Sequence, residues 1–561
     1  MSKRAGAALF VLLAGVFLIV NRGAYKGYFQ DDELDNISWT RQVPLGEYAK
    51  AALTPRFETN NFRPVGHFYF REGAEWFGLD FPKYVVVIHA IHLLNVWLVW
   101  ILLRRLGIQP WAAAAACVFF ALHMALFDAL WKPMYVFDLL CATFCLASIL
   151  LFTQGRWILS FAAFWLAYKS KELAIMLPAV LACYELWFGK RRWKVLIPFF
   201  LVSLSFGLQG LLLNPNHSQN NDYTFRFSAS ALARTSVYYS SRIFLIPYLG
   251  VALPVIALWM ARNRRTWFGL ATMGLFLSLM LFLPGRLSGA YGYLAFTGLA
   301  IVFASLAEAS RPVSVAVFFL LWLPVNYASL REQRRATLAH GDLVRVWVTA
   351  LEQYKDRGGG AQAFVYSGEP AGFHWWGVAG AVRYLFPAVT DVYAAGDPVT
   401  PQAFEQRKVA VLTWRPAPPR LDILTHTPGE RDASYLEMNE AGPIWQLDDG
   451  WYGLEGNYRW IAPSAGAHLW RPAGARHFVV HVNVGPELLA HTGTVSLSVS
   501  IGNEALEPRR FAQNGWQEGR WELQPAAEAS VMVRFTAPPG YRPPGESRNL
   551  GIAIGSFGFQ K

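Results

Sequence analysis

Apolar runs separated by short polar or charged connections fill residues 1 to about 330. A helix needs roughly 20 mostly apolar residues to cross the hydrocarbon of a bilayer. The pattern predicts eleven spans, near 5–21, 83–103, 111–130, 134–153, 157–170, 173–188, 195–213, 235–260, 268–284, 293–309 and 312–328. Several fall short of that length. Beyond residue 330 the pattern changes. "LVRVWVTALEQYKDR" reads as a helix, and "QAFVYSG" and "KVAVLTW" read as short strands, so 331–445 is expected to be a small α/β domain. From 446 to 561, "HFVVHVNV", "VSLSVSIG" and "ASVMVRFTA" alternate apolar and polar positions between Gly, Pro and Asn turns. That period predicts a β-sandwich. The fold class is therefore a polytopic α-helical membrane protein with a C-terminal α/β section and β-sandwich.

Composition agrees. Only 16% of the 561 residues are charged, against roughly a quarter in soluble domains. The net charge of +12 comes partly from clusters beside apolar runs: Lys3-Arg4, Arg104-Arg105, Arg156, "GKRRWK" at 189–194, "ARNRR" at 261–265 and Arg311. Such clusters mark the cytoplasmic side of spans, and they speak for topology and headgroup contact rather than nucleic acid. With an odd number of spans, the C-terminal part falls on the opposite side, together with the 22–82 loop. All four cysteines (Cys117, Cys141, Cys145 and Cys183) lie in apolar runs, so the soluble part has neither a disulfide framework nor a cysteine zinc site. The basic start and following apolar stretch read as an uncleaved first span.

Candidate chemistry gathers on the outer face. "YFQDDELDN" places Asp31, Asp32, Glu33 and Asp35 within five residues just after the first span. "NNFRPVGHFYF" follows with Arg63 and His67; "HMALFDALWKPMYVFDLL" adds His123, Asp128, Lys132 and Asp138. "YKSKE" supplies Lys169, Lys171 and Glu172, and "GRLSGAYGY" supplies Arg286. His89, His92 and Asn95 are polar groups at membrane depth, where they are costly and often functional. Each has a plainer reading. An acidic loop is usually only solvated, Lys169 and Lys171 can snorkel, and the span histidines can bond to neighbouring helices. Recurrence of carboxylates and cations on one face shifts the balance.

Sugar transfer from a lipid phosphate would use such a face. A carboxylate takes the proton of the attacking hydroxyl, and cations steady the departing phosphate. A transporter for a lipid-linked glycan would use similar groups. The motifs "FRPVGHFYF", "HLLNVWLVWILLRRLG", "ALHMALFDALWKPMYVFDLL" and "YKSKELAIMLP", in this order after an early span and an acidic loop, resemble the GT-C superfamily of membrane glycosyltransferases. They are most similar to the branch that includes the transmembrane and tetratricopeptide-containing O-mannosyltransferases. "GAYGYLAFTGLA" at 289–300 looks like a degraded form of that branch's "RYLYLPSIG". The likeness covers roughly 1–330 as the catalytic domain, and the tetratricopeptide repeats are absent.

The resemblance implies an inverting glycosyltransferase in the bacterial inner membrane, its N-terminus cytoplasmic and its site and C-terminal domains periplasmic. The donor would be a polyprenyl-phosphate sugar and the acceptor a glycan, lipid or protein hydroxyl. The catalytic acid falls on Asp32, with Asp31 as runner-up. Lys171, Arg286, Lys132, Arg63, Lys169 and His123 are the phosphate candidates, and Glu33, Asp128, Asp138 and Glu172 the supporting acids. Ser170, Lys171 and Glu172 match the "SKE" motif. Val136 stands where the branch often has Arg, which leaves Lys132 to replace that charge. A divalent cation on the clustered carboxylates is compatible with the sequence. The β-rich section resembles sandwich domains appended to bacterial glycosyltransferases, whose aromatics either bind carbohydrate or fill a core. The rival readings are a lipid-linked glycan flippase and an inactive relative acting as a glycan-binding module.

Overall fold

The computed structural model describes residues 3–55, 62–213, 221–395, 397, 399–439 and 442–561. Asn60 and Asn61 of the "NNFRPVGHFYF" motif, and 214–220 of an expected connection, lie outside the described residues. The chain divides into two compact units, Met1–Arg345 with Gly372–Tyr384, and Val346–Ala371 with Leu385–Lys561.

The first unit is helical. Among the described residues six helices are long and apolar enough to cross a membrane: Phe81–Arg105, Pro110–Trp131, Pro133–Thr153, Trp193–Leu213, Gly289–Ala309 and Pro312–Asp356. A seventh arises if Ala229–Phe244 and Leu249–Met260, bent by 90°, count as one broken span. The expected eleven spans are not reproduced. Trp157–Ser170, Leu177–Trp187 and Arg264–Leu277 are helices, but have only 14, 11 and 14 residues, below the roughly 20 a crossing needs. The stretch 235–260 breaks after Phe244, where Leu245 is left-handed.

Phe81–Arg105 shows how sequence sets such a helix. Proline in its first turn costs no hydrogen bond, and Arg104 and Arg105 sit in its last turn, where cations meet the negative end of the dipole. Its 25 residues extend about 37 Å at 1.5 Å per residue. Its polar residues are satisfied within the bundle. His89 bonds to the Tyr25 hydroxyl at 2.8 Å and to the Leu130 carbonyl at 2.9 Å. His92 bonds to the Tyr293 hydroxyl at 2.6 Å. Asn95 donates to the Leu139 carbonyl and accepts from Thr143 at 2.7 Å. These groups tie helices together, which is the plainer of their two readings.

The residue-330 boundary lies inside one helix, Pro312–Asp356. In the second unit, strands Val392–Ala394, Ala363–Ser367 and Val409–Pro416 run parallel in that order, and Pro419–His426 adds an antiparallel edge. Two further sheets form the sandwich. One pairs Ser464–Arg471, Ala529–Thr536 and Val495–Ile501. The other places Gly515–Glu522, His477–Val484, Ala553–Gln560, Tyr458–Ile461 and Trp451–Glu455 side by side. Burial along Val495–Ile501 alternates strictly, sending Val495, Leu497, Val499 and Ile501 into a core with Phe478, Val480, Phe535 and Phe557. The sandwich begins before residue 446, because Tyr435–Glu437 pairs with Ala553–Gln560. Trp521 is buried in this core, whereas Trp516 is half exposed.

Candidate active site

The acidic cluster folds as the first turn of a helix, Asp31–Thr40. Acids in a first turn complement the helix dipole. Glu33 also caps the helix, accepting from the Gln30 backbone N–H at 2.7 Å. Its other oxygen accepts from the Met134 N–H at 3.2 Å, which ties the helix to the second loop. Glu33 is buried, and burial pushes its carboxyl up to about 7. Asp35 is pushed to about 6 by burial and by the charge of Asp32.

Asp31 and Asp32 meet a segment more than 300 residues away. Trp375–Leu385 is a helix preceded by the turn at Gly372, whose φ of +79° favours glycine. The His374 backbone N–H donates to Asp31 Oδ1 at 2.7 Å, and its ring Nδ1 to Oδ2 at 2.8 Å. The Trp376 indole N–H donates to Asp32 Oδ1 at 2.9 Å. The two rings stack at 4.5 Å and 11°. Close approach depends on glycine. A Cβ on Gly377 would stand 2.6 Å from Asp31 Oδ1, and one on Gly380 2.5 Å from the Asp35 backbone nitrogen.

These contacts separate the two aspartates. Both oxygens of Asp31 are occupied by His374. Asp32 keeps Oδ2 without a hydrogen bond among the described residues. Burial raises the Asp32 carboxyl above its ordinary range and Asp31 adds to this, while the Trp376 bond, Arg286 and His374 oppose it.

The expected cations divide into three kinds. Lys171 pairs with the buried Asp138 at 2.6 Å and lies 4.4 Å over the Tyr291 ring. Arg63 pairs with Glu172 at 2.8 Å, and Lys132 with Asp128 at 2.9 Å. The Ser288 hydroxyl lies 3.4 Å from both Asp128 and the Tyr135 hydroxyl. Arg286 differs. It donates to the Tyr291 hydroxyl at 2.7 Å and lies 4.4 Å over the Tyr223 ring. Among the described residues no carboxylate pairs with it. Arg286 and Arg63 both act electrostatically on Tyr223, as does Asp32, so the acid and the cations share one region.

The remaining candidates are engaged in packing. Lys169 donates to the Thr54 carbonyl at 2.8 Å and lies over the Trp165 and Phe206 rings. The buried His123 bonds to the Ile243 carbonyl at 2.9 Å and accepts from the Ala125 N–H. Val136 is buried. His67 accepts from the Arg63 N–H and is pushed down to about 3 by burial and the Arg63 charge, so its ring stays neutral. Among the described residues, no group of three or more His, Cys, Asp or Glu side chains is placed to hold a metal ion. His374 and Trp376 were not sequence candidates. The signal lies in "GFHWWGVAGA", four successive ring-bearing residues followed by small residues on a helix.

No family model and no curated protein matches the chain. Similar solved structures include the arabinofuranosyltransferase AftD from Mycobacteria, at 13% identity and a TM-score of 0.47, covering 100% of this chain and 58% of that one. ArnT from Cupriavidus metallidurans bound to undecaprenyl phosphate shares 14% identity, with a TM-score of 0.46 over 74% of this chain and 94% of that one. The arabinosyltransferase EmbB from Mycobacterium smegmatis shares 12% identity, with a TM-score of 0.34 over 99% of this chain and 64% of that one. The chain thus spans less than two thirds of the AftD and EmbB chains.

Proposed function

We propose that this chain is an inverting GT-C-type glycosyltransferase that moves a sugar from a polyprenyl-phosphate donor to a hydroxyl acceptor. The observation that carries the reading is Asp32. It is a carboxylate of raised proton affinity with one oxygen free, in the field of a cation that has no carboxylate partner among the described residues. The ordered motifs of residues 1–330 support the same reading. The charge pattern of the connections supports an N-terminus in the cytoplasm and a site on the opposite side, and the resemblance supports a bacterial inner membrane, which makes that side the periplasm.

Asp32 Oδ2 takes the acceptor's proton as its oxygen attacks the anomeric carbon. A carbon–oxygen bond forms on one face while the bond to the phosphate oxygen breaks on the other. The polyprenyl phosphate leaves with the electron pair, and Arg286 stabilises its growing charge. Lys171 and Arg63 are already neutralised by Asp138 and Glu172, so they shape the field and hold Tyr291 and Phe137.

The test supplies membranes with labelled polyprenyl-phosphate sugar and determines the anomeric configuration of the product by NMR. Inversion with release of polyprenyl phosphate is expected; a retained configuration, or no consumption of any such donor, sinks the proposal. The pH profile gives a second check. The base must be ionised, so activity rises with pH through the Asp32 pKa. Because that pKa is raised, the acid limb of kcat/KM is expected above the ordinary aspartate value of 3.8. Trp376→Phe deletes a bond that lowers it, so the limb should move to still higher pH. A shift downward would contradict the role given to Asp32.

A further inference from the structure

His374 and Trp375 leave ring surface uncovered beside the proposed base. The His374 side chain is 54% exposed and Trp375 61% exposed. Neighbouring Phe373 is buried and anchors the segment, and Trp376 is held by Asp32. Trp375 stands at 90° to Trp376, 6.1 Å away, so the exposed indole walls one side of the stacked His374–Trp376 pair. A carboxylate oxygen only accepts, so His374 Nδ1 carries the hydrogen in its bond to Asp31. Nε2 is then left to bond outward, as an acceptor in the neutral ring and a donor in the protonated one. It makes no hydrogen bond among the described residues.

We infer that His374, Trp375 and Trp376 form the acceptor subsite, and that the acceptor is a sugar ring of a glycan. The inference rests on the proposed glycosyl transfer and names the substrate class of the same site. A sugar ring offers an apolar C–H face and hydroxyls along its edge. The exposed indole suits the face, and mixed aromatic and polar linings of this kind orient small ligands. His374 Nε2 bonds to one edge hydroxyl, and the Asp32 oxygen that has no hydrogen bond among the described residues accepts from the hydroxyl that attacks. A glycerol or ethanolamine headgroup, or the hydroxyl of a serine or threonine in a peptide, offers no such flat face beside it. His374 is a positioning residue through Asp31 and a binding residue through Nε2. The bond that forms and the bond that breaks are those of the proposed transfer, and the proton still goes to Asp32.

The full chain in lipid nanodiscs is presented to an array of bacterial surface polysaccharides and their oligosaccharides. Wild type is expected to capture a defined set of these glycans. Trp375→Ala and His374→Ala should capture them at least tenfold more weakly, and Trp375→Tyr should recover most of the capture. Equal capture by Trp375→Ala, or labelled product found on phospholipid or protein side chains, overturns the subsite. Glycan capture that depends on Trp375 without any transfer would leave the subsite standing and remove the proposed reaction. Transfer abolished by Asp32→Asn but indifferent to Trp375 would do the reverse.

Discussion

Asp32→Asn is expected to lower sugar transfer by about three orders of magnitude, within the 10²- to 10⁴-fold range of a positioned general base. The amide is nearly isosteric and can still accept from the Trp376 N–H, so the acidic helix keeps its shape. What disappears is the lone pair that accepts the acceptor's proton. Asp31→Asn should cost only about tenfold, equivalent to about 1.4 kcal/mol. Asp31 already has both oxygens engaged by His374; the change weakens a charge-assisted bond and shifts His374 without removing the base. The two variants are compared by initial rates in membranes, at equal protein abundance. An Asp31→Asn loss as large as that of Asp32→Asn would reverse the assignment of the two aspartates.

Gly380→Val should lower transfer about 10²-fold, the scale expected when catalytic groups move by about 1 Å. The three atoms nearest a Cβ at Gly380 are all backbone: Asp35 N, Asp35 Cα and the Leu34 carbonyl carbon, at 2.5, 2.7 and 2.7 Å. No side chain can swing aside, so the two helices must separate. That separation pulls Trp376 from Asp32 and His374 from Asp31. Overpacking of this kind also costs about 1–3 kcal/mol of stability. Gly46→Ala is the control, because nothing lies within 4 Å of a Cβ there; its stability should change by no more than about 0.5 kcal/mol. Thermal unfolding in detergent and transfer rates are measured together. A Gly380→Val chain with full activity would mean that the Trp376 bond does not position the base.

Much of this arrangement is legible in the sequence. Apolar runs long enough to be helices announce themselves, and strict alternation at 495–501 marks a strand with one buried face. The clustering of Asp31, Asp32, Arg63, Lys171 and Arg286 on connections of one polarity leads to the same region that the structure assembles. Three things are hidden for physical reasons. Helix length within an apolar run depends on local breaks, as at Leu245, so hydropathy alone does not tell a continuous span from a broken one. The roles of Asp31 and Asp32 depend on which donors reach them, and adjacent carboxylates look alike in a string of letters. The return of 372–384 to the acidic helix is made by the absence of side chains at Gly377 and Gly380, and an absence leaves no hydropathic trace.

That return also sets a timetable for biosynthesis. The Asp31–His374 bonds join residues 343 positions apart, and synthesis runs at about 5–20 residues per second. The acidic helix therefore waits about 20 to 70 s on the nascent chain before its partner exists. During that interval every apolar span has been made, yet Asp31 and Asp32 lack their His374 and Trp376 donors. A ribosome stalled before residue 372 would leave a membrane-inserted chain with an unfinished centre, so competence for chemistry arrives only after insertion is over.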